Sequence, residues 1–247
     1  MTTVVAALGA LLAGLAAMLY ASVGHAGASG YLAVMALLGV APATMRPAAL
    51  VLNVVVALIG TATFARAGHL RWSLLWPLLL GSVPAAYVGG TLTLPAPWYR
   101  TVVGLVLLAS AVRLVVTGHR PDTASSRTPS HAARVVLGIG LGLLSGLTGV
   151  GGGIFLSPIL LALGWADLRV TAATSAGFIL ANSVAGLAGQ GVTPASLPSW
   201  LVAWVPAVIV GGAIGARAGA TRFDPATLRR LLAAVLILAG TKLVLDG

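Results

Sequence analysis

Eight apolar stretches, each 17 to 21 residues long, account for most of this 247-residue chain: 3–22, 47–65, 73–93, 99–117, 133–149, 170–189, 199–216 and 226–245. About 20 apolar residues in a helix cross the ~30 Å hydrocarbon core of a bilayer. Only helices and closed barrels satisfy their own backbone there. Charged residues make up 7% of the chain, against about 25% in a soluble domain. An ordinary soluble fold is thereby excluded, and so is disorder, because there is abundant apolar surface to bury. The expectation is an all-α polytopic membrane protein with eight long transmembrane helices, the lipid bilayer being its first partner. The stretch 3–22 lacks the positive flank of a signal peptide and reads as a retained first span. Trp72, Trp76, Trp98, Tyr99, Trp165 and Trp200 fall near span ends, where aromatic side chains anchor at the interface.

Two further apolar runs, 30–40 and 153–164, are too short to cross, reaching only about 17 Å as helix. Glycines precede both: Gly24, Gly27 and Gly30 before the first, Gly149, Gly151, Gly152 and Gly153 before the second. The expectation is two short glycine-flanked half-helices.

The chain is internally repeated. An offset of 123 residues pairs Ser22 with Ser145, Gly30 with Gly153, Arg46 with Arg169 and Gly68 with Gly191. An offset of 122 pairs Val83-Pro84-Ala85 with Val205-Pro206-Ala207. The polar segment 118–132, rich in Ser, Thr and Pro, lies at the join. The organisation read from this is a first membrane repeat, 1–117, a polar cytoplasmic linker, 118–132, and a second membrane repeat, 133–247.

Fourteen Lys and Arg oppose four Asp, and their placement bears on topology. With four crossings per half the cations divide evenly between the two sides. If each short segment also changes sides, eleven fall in the cytoplasm and only Arg46, Arg100 and Lys242 outside, with the N-terminus outside. The second arrangement obeys the positive-inside tendency and makes the two structural repeats inverted, as in many secondary transporters. The net charge of +10 is then mostly orientation, and nucleic acid is not needed as a partner.

The glycine clusters are the sharpest motifs. Glycine lets a backbone leave helical geometry and approach a ligand closely, and a helix starting at Gly153 turns its positive end and first N–H groups toward an anion. The first half offers His25, Gly27, Ser29 and Gly30 in the corresponding stretch. The same glycines also suit close helix packing. Asn53, Thr174, Ser175 and Asn182 could donate to a bound anion or bond helix to helix. His25 could bind the anion, carry a proton, given the ordinary imidazole pKa of about 6.5, or make a structural hydrogen bond. Arg46 and Arg169 either attract the anion at the two mouths or serve as topology determinants. Pro84 and Pro206 are matched helix breakers, read as hinges or as simple curvature. With no Cys, no Glu and four Asp, acid–base, metal and nucleophile constellations are scarce. An enzyme, a metal site and a cofactor are therefore not expected.

The run Ser145-Gly-Leu-Thr-Gly-Val-Gly-Gly-Gly153, followed by Ser157-Pro-Ile-Leu160, Gly164 and Thr171-Ala-Ala-Thr-Ser175, resembles the sulfite exporter TauE/SafE family of the toluene-sulfonate uptake permease superfamily. The first half departs from the pattern, with His25-Ala-Gly-Ala-Ser-Gly30 in place of the glycine run and Met35 opposite Pro158. The resemblance implies a secondary transporter in a prokaryotic cytoplasmic (inner) membrane. It would export a small sulfur-containing anion, sulfite or an organosulfonate such as sulfoacetate, by alternating access, as a homodimer. An anion channel, or an uptake permease for another small organic anion, is the alternative.

Overall fold

The computed structural model describes residues 3–116, 130–221, 236–238 and 240–245. Among the described residues the chain is helical, without strands: α1 (Thr3–Ala21), α2 (Ala28–Leu37), α3 (Pro42–Arg66), α4 (Trp72–Thr91), α5 (Ala96–Val116), α6 (His131–Thr148), α7 (Gly153–Ala162), α8 (Leu168–Gln190) and α9 (Leu201–Thr221). Six of these, α1, α3, α4, α6, α8 and α9, are long and apolar enough to cross a membrane. The expected span 99–117 falls in α5, where the apolar helix covers Ala96–Val112. The expected span 226–245 lies partly outside the described residues, as does nearly all of the linker.

The two short helices form where expected, ten residues each. Gly152, the residue before α7, has φ 73°, a left-handed backbone that a side chain resists and glycine adopts freely. Gly27 plays the same part before α2, with φ 100°. Side chains cap two longer helices: Ser130 accepts from the Ala133 amide at the start of α6, and Asp167 accepts from the Val170 amide at the start of α8.

Glycine ladders hold the long helices together. Gly138, Gly142 and Gly146 on α6 lie against the carbonyl oxygens of Leu78, Ser82 and Ala86 on α4. Gly211, Gly215 and Gly219 on α9 lie in the same way against Gly14, Met18 and Ser22 at the end of α1. A Cβ at any of the six would run into that backbone oxygen. Lipid tails are as apolar as leucine, so contact at this closeness, rather than exclusion from water, supplies the packing energy in a bilayer.

The same contacts fix helix directions. Both ladders ascend together, so α4 runs parallel to α6 and α1 parallel to α9. Leu75 meets Gly177 and Tyr87 meets Gly189, so α4 is also parallel to α8. Val56 meets Gly212 and Phe64 lies in the apolar cluster that Ala220 packs against, so α3 is parallel to α9. Leu50 instead faces Gly186 while Gly60 faces Ala176, which makes α3 and α8 antiparallel. Thus α1, α3 and α9 run one way and α4, α6 and α8 the other. Because α1 and α3 are parallel, the segment containing α2 returns the chain across the bundle, and α7 does so between α6 and α8.

Candidate functional site

The glycine loop 149–153 is buried, and both halves of the chain contribute its walls. All four of its glycines are tightly enclosed, Gly153 most closely, where a Cβ would lie 2.4 Å from the Ile179 side chain. A Cβ on Gly149 would lie 3.1 Å from the Arg46 carbonyl oxygen. One on Gly152 would lie 2.9 Å from the Phe178 ring. On Gly151 it would lie 2.9 Å from Nδ2 of Asn53 and 3.4 Å from Oγ of Ser183. Asn53 and Ser183 therefore flank the loop from α3 and α8.

Both amide atoms of Asn53 are fully buried and have no hydrogen-bond partner in the protein. The same holds for the hydroxyls of Ser183 and Thr174 on α8. Oδ1 of Asn182 is likewise unpartnered, while its Nδ2 donates to the Phe178 carbonyl at 2.8 Å. Buried polar groups are nearly always hydrogen-bonded, since leaving one unpaired costs about 1–3 kcal/mol. Asn53 and Ser183, both beside Gly151, mark a place suited to a polar guest.

His25 reaches the same loop from the first half. Its Nδ1 lies 3.0 Å from the Val23 carbonyl, and Nε2 lies 3.1 Å from the Gly153 carbonyl and 3.1 Å from Oγ of Ser157. Ser157 continues to Ser175, Oγ to Oγ at 2.7 Å. Both ring nitrogens face a carbonyl, which only accepts, so a neutral ring donates to one of the two and a protonated ring to both.

The remaining first-half residues serve their own short helix. Ser29 donates to the Tyr20 hydroxyl at 2.6 Å, and Tyr31 donates to the Ala26 carbonyl at 2.5 Å. A Cβ on Gly27 would lie 2.8 Å from the Tyr31 hydroxyl, and one on Gly30 2.7 Å from Ala16. Gly24, by contrast, is pressed on the backbone of Ala172 in α8.

The polar groups are not mirrored at the 123-residue offset. Asn53 and Ser183 correspond to Ala176 and Gly60, which do pack together but carry nothing polar. Ser157 and Ser175 correspond to Val34 and Leu52. The site is one-sided, built around the second glycine loop.

Arg46 is buried, and its guanidinium donates to the carbonyls of Gly89 at 2.6 Å, Gly90 at 2.9 Å and Leu92 at 2.8 Å. It thus caps the C-terminal end of α4, where carbonyls lack helical partners. Arg169, its counterpart in sequence, is exposed at the first turn of α8. Pro84 and Pro206 both sit within helices, α4 and α9, on exposed faces. Two aromatic residues depart from the belt pattern. Tyr99 is buried and donates to the Thr148 carbonyl just ahead of the loop. Trp204, fully buried, donates to the Ala6 carbonyl. No group of three His or Asp residues able to hold a metal occurs among the described residues.

The family model for the sulfite exporter TauE/SafE matches residues 8–243. The chain belongs to the sulfite exporter TauE/SafE family. A "Probable membrane transporter protein" of Sinorhizobium fredii, y4hK, is 40% identical over 232 residues, covering 92% of this chain and 94% of the relative. Similarly named proteins of Bacillus subtilis and Methanocaldococcus jannaschii are 29% and 28% identical over 54% and 58% of this chain, covering 49% and 55% of their own lengths. No solved structure matches the chain. Membership in this family, with six helices fit to span a bilayer, makes the protein a multi-pass membrane transporter.

Ser183 and Ser157 are the members of the site that residue-by-residue reading did not single out. Ser183 lies in an alanine- and glycine-rich stretch of α8 without a motif. The one available signal was its place next to Asn182, a second amide in a span.

Proposed function

We propose that this TauE/SafE protein exports a small sulfur-containing anion, sulfite or an organosulfonate, by alternating access, and binds it at the loop 149–153. The observation that carries the reading is Asn53, whose fully buried amide has no partner in the protein and adjoins Gly151. An Asn amide offers two N–H donors to sulfonate or sulfite oxygens. Ser183 and Thr174 add hydroxyls, Ser175 reaches the same place through Ser157, and α7 begins at Gly153 with its positive end toward the loop. His25 supplies a group that takes up a proton, adding positive charge beside the anion.

The helix directions support inverted repeats. Counterparts at the repeat offset, α1 and α6, α3 and α8, α4 and α9, run oppositely, and α3 packs antiparallel to α8 across the join. Among the described residues Arg66, Arg71, Arg134, Arg169 and Arg217 lie at one end of the bundle, and Arg46, Arg100 and Lys242 at the other. The first end is read as cytoplasmic and the N-terminus as outside, in a prokaryotic inner membrane. Arg46, capping α4, acts on the anion only by the position it gives the loop. The matched prolines are read as flexible points for the rocking of one half against the other.

Liposomes containing the purified protein and loaded with sulfite test the reading. Saturable release, with counterflow of external sulfite, is expected. No saturable release of sulfite or any organosulfonate overturns it, and release without saturation identifies a channel instead.

A further inference from the structure

Oγ1 of Thr171, in the first turns of α8, is buried and has no hydrogen-bond partner in the protein. Several helical hydroxyls elsewhere in the chain return to the carbonyl four residues back: Thr63 to Ile59, Thr101 to Pro97, Ser110 to Val106 and Thr148 to Leu144. Thr171 has the Asp167 carbonyl in that place, and its own backbone amide donates there at 2.8 Å. Its hydroxyl does not, and so is left for another partner.

Thr171 belongs to a row. Asp167, Thr171 and Ser175 follow at intervals of four, so Thr171 and Ser175 share one face of α8, with Asp167 as its N-cap. Ser175 meets Ser157 at 2.7 Å, where either hydroxyl can donate, and Ser157 meets Nε2 of His25 at 3.1 Å. The segment carrying His25 is held against the same part of α8, since a Cβ on Gly24 would run into the Ala172 backbone. Asp167, with its side chain 32% exposed, stands at the end of the bundle read as cytoplasmic. Successive members of the row on α8 are about 6 Å apart along the helix axis, a gap that one bridging water closes.

We infer that the row Asp167, Thr171, Ser175 and Ser157 carries protons between the cytoplasm and His25, so that the charge on the ring is set from the cytoplasmic side; this rests on the reading of the loop as the anion site. A hydroxyl both donates and accepts, so it gives its proton to one neighbour, takes another from the next, and ends neutral. With the ring's proton on Nδ1, Ser157 gives its proton to Nε2 and is refilled from Ser175. Ser175 is refilled through water from Thr171, and Thr171 through water from the Asp167 carboxyl, which reloads from solvent. The titratable groups around the ring are Tyr20, with ring centroids 6.4 Å apart, and Tyr31, which donates to the Ala26 carbonyl. α7 carries none and α8 only Arg169, exposed two residues from Asp167, while Arg71 faces Asp167 at 3.9 Å.

The test uses inverted membrane vesicles, in which the cytoplasmic end of the full chain faces the bath, and follows saturable uptake of sulfoacetate with bath and lumen buffered separately. Moving the bath from pH 8 to pH 5.5, across the range in which imidazole titrates, should change the initial rate about fivefold or more. The same change in the lumen should leave the rate within about twofold. Thr171→Val, which keeps the shape and loses the hydroxyl, should bring the bath response within about twofold while uptake stays saturable. Ser175→Ala should flatten the bath response equally, so the test survives if one variant does not fold. A response to the lumen instead of the bath, no response to either, or a wild-type bath response in either folded variant overturns the inference and leaves the loop as the anion site. No saturable uptake of sulfoacetate or of sulfite by the wild type overturns the transport reading itself, and the inference with it.

Discussion

Nε2 of His25 lies 3.1 Å from the hydroxyl of Ser157, 132 residues later in the chain, and this contact joins the first half's break to the first turns of α7. The same nitrogen is 3.1 Å from the Gly153 carbonyl. A protonated ring donates from both nitrogens, so Nε2 cannot then accept from Ser157, whose hydroxyl is left to the Gly153 carbonyl or to Ser175. Charge on the ring and the hydrogen bonds around the loop are therefore linked.

His25→Gln should accordingly flatten the pH dependence of transport. Gln keeps a donor and an acceptor but carries no ionisable proton. Wild-type initial rates measured between pH 5.5 and 8 should vary severalfold, and the variant's should not. A variant profile superimposable on the wild type's contradicts a proton-carrying role.

Gly151→Ala should abolish saturable transport and lower stability. Its φ of 80° costs an L-residue about 1–2 kcal/mol, and the added methyl would approach Asn53 and Ile179 at 2.9 and 2.8 Å. Thermal unfolding and sulfite efflux on one preparation separate the two effects.

Arg46→Gln should act on stability first. It removes hydrogen bonds to three carbonyls at the end of α4, and loss of charge-assisted bonds at a buried site costs about 1.5–3 kcal/mol. A lower unfolding temperature with little change in the sulfite KM is expected of the folded fraction. An unchanged unfolding temperature with a raised KM would instead make Arg46 an attractor of the anion.

Gly142→Leu should prevent assembly, because its neighbour is the Ser82 backbone oxygen in α4. Gly140→Leu, two residues away on an open face, should be tolerated. Comparing the two by size-exclusion behaviour in detergent distinguishes close packing from a general intolerance of bulk.

Six of the eight expected spans and both half-helices were legible, because length and apolarity are set by the bilayer and need no knowledge of partners. The glycine loop was legible for a similar reason, since Gly152 and Gly27 interrupt helices locally. The pairing of Arg46 with Arg169 in the sequence says nothing of whether a carbonyl cluster lies within reach. One arginine became a cap and the other stayed exposed. The spacing of four in Gly138, Gly142, Gly146 and in Gly211, Gly215, Gly219 was present in the sequence as a packing signal, while the helix each would face was not. The one-sidedness of the site could not be read at all. It depends on Asn53 and Ser183, 130 residues apart, meeting across Gly151 while their repeat counterparts are Ala176 and Gly60.

The most direct measurement is the thermal unfolding of the detergent-solubilised protein against sulfite, sulfoacetate, taurine, sulfate and acetate, in the wild type and in Asn53→Leu. A ligand that binds the folded form stabilises it by mass action. Sulfite or an organosulfonate should raise the wild-type unfolding temperature saturably, and Asn53→Leu, itself folded, should need at least tenfold more ligand for the same shift. No shift with any sulfur-containing anion, or an equal shift in the variant, would contradict binding at the loop 149–153.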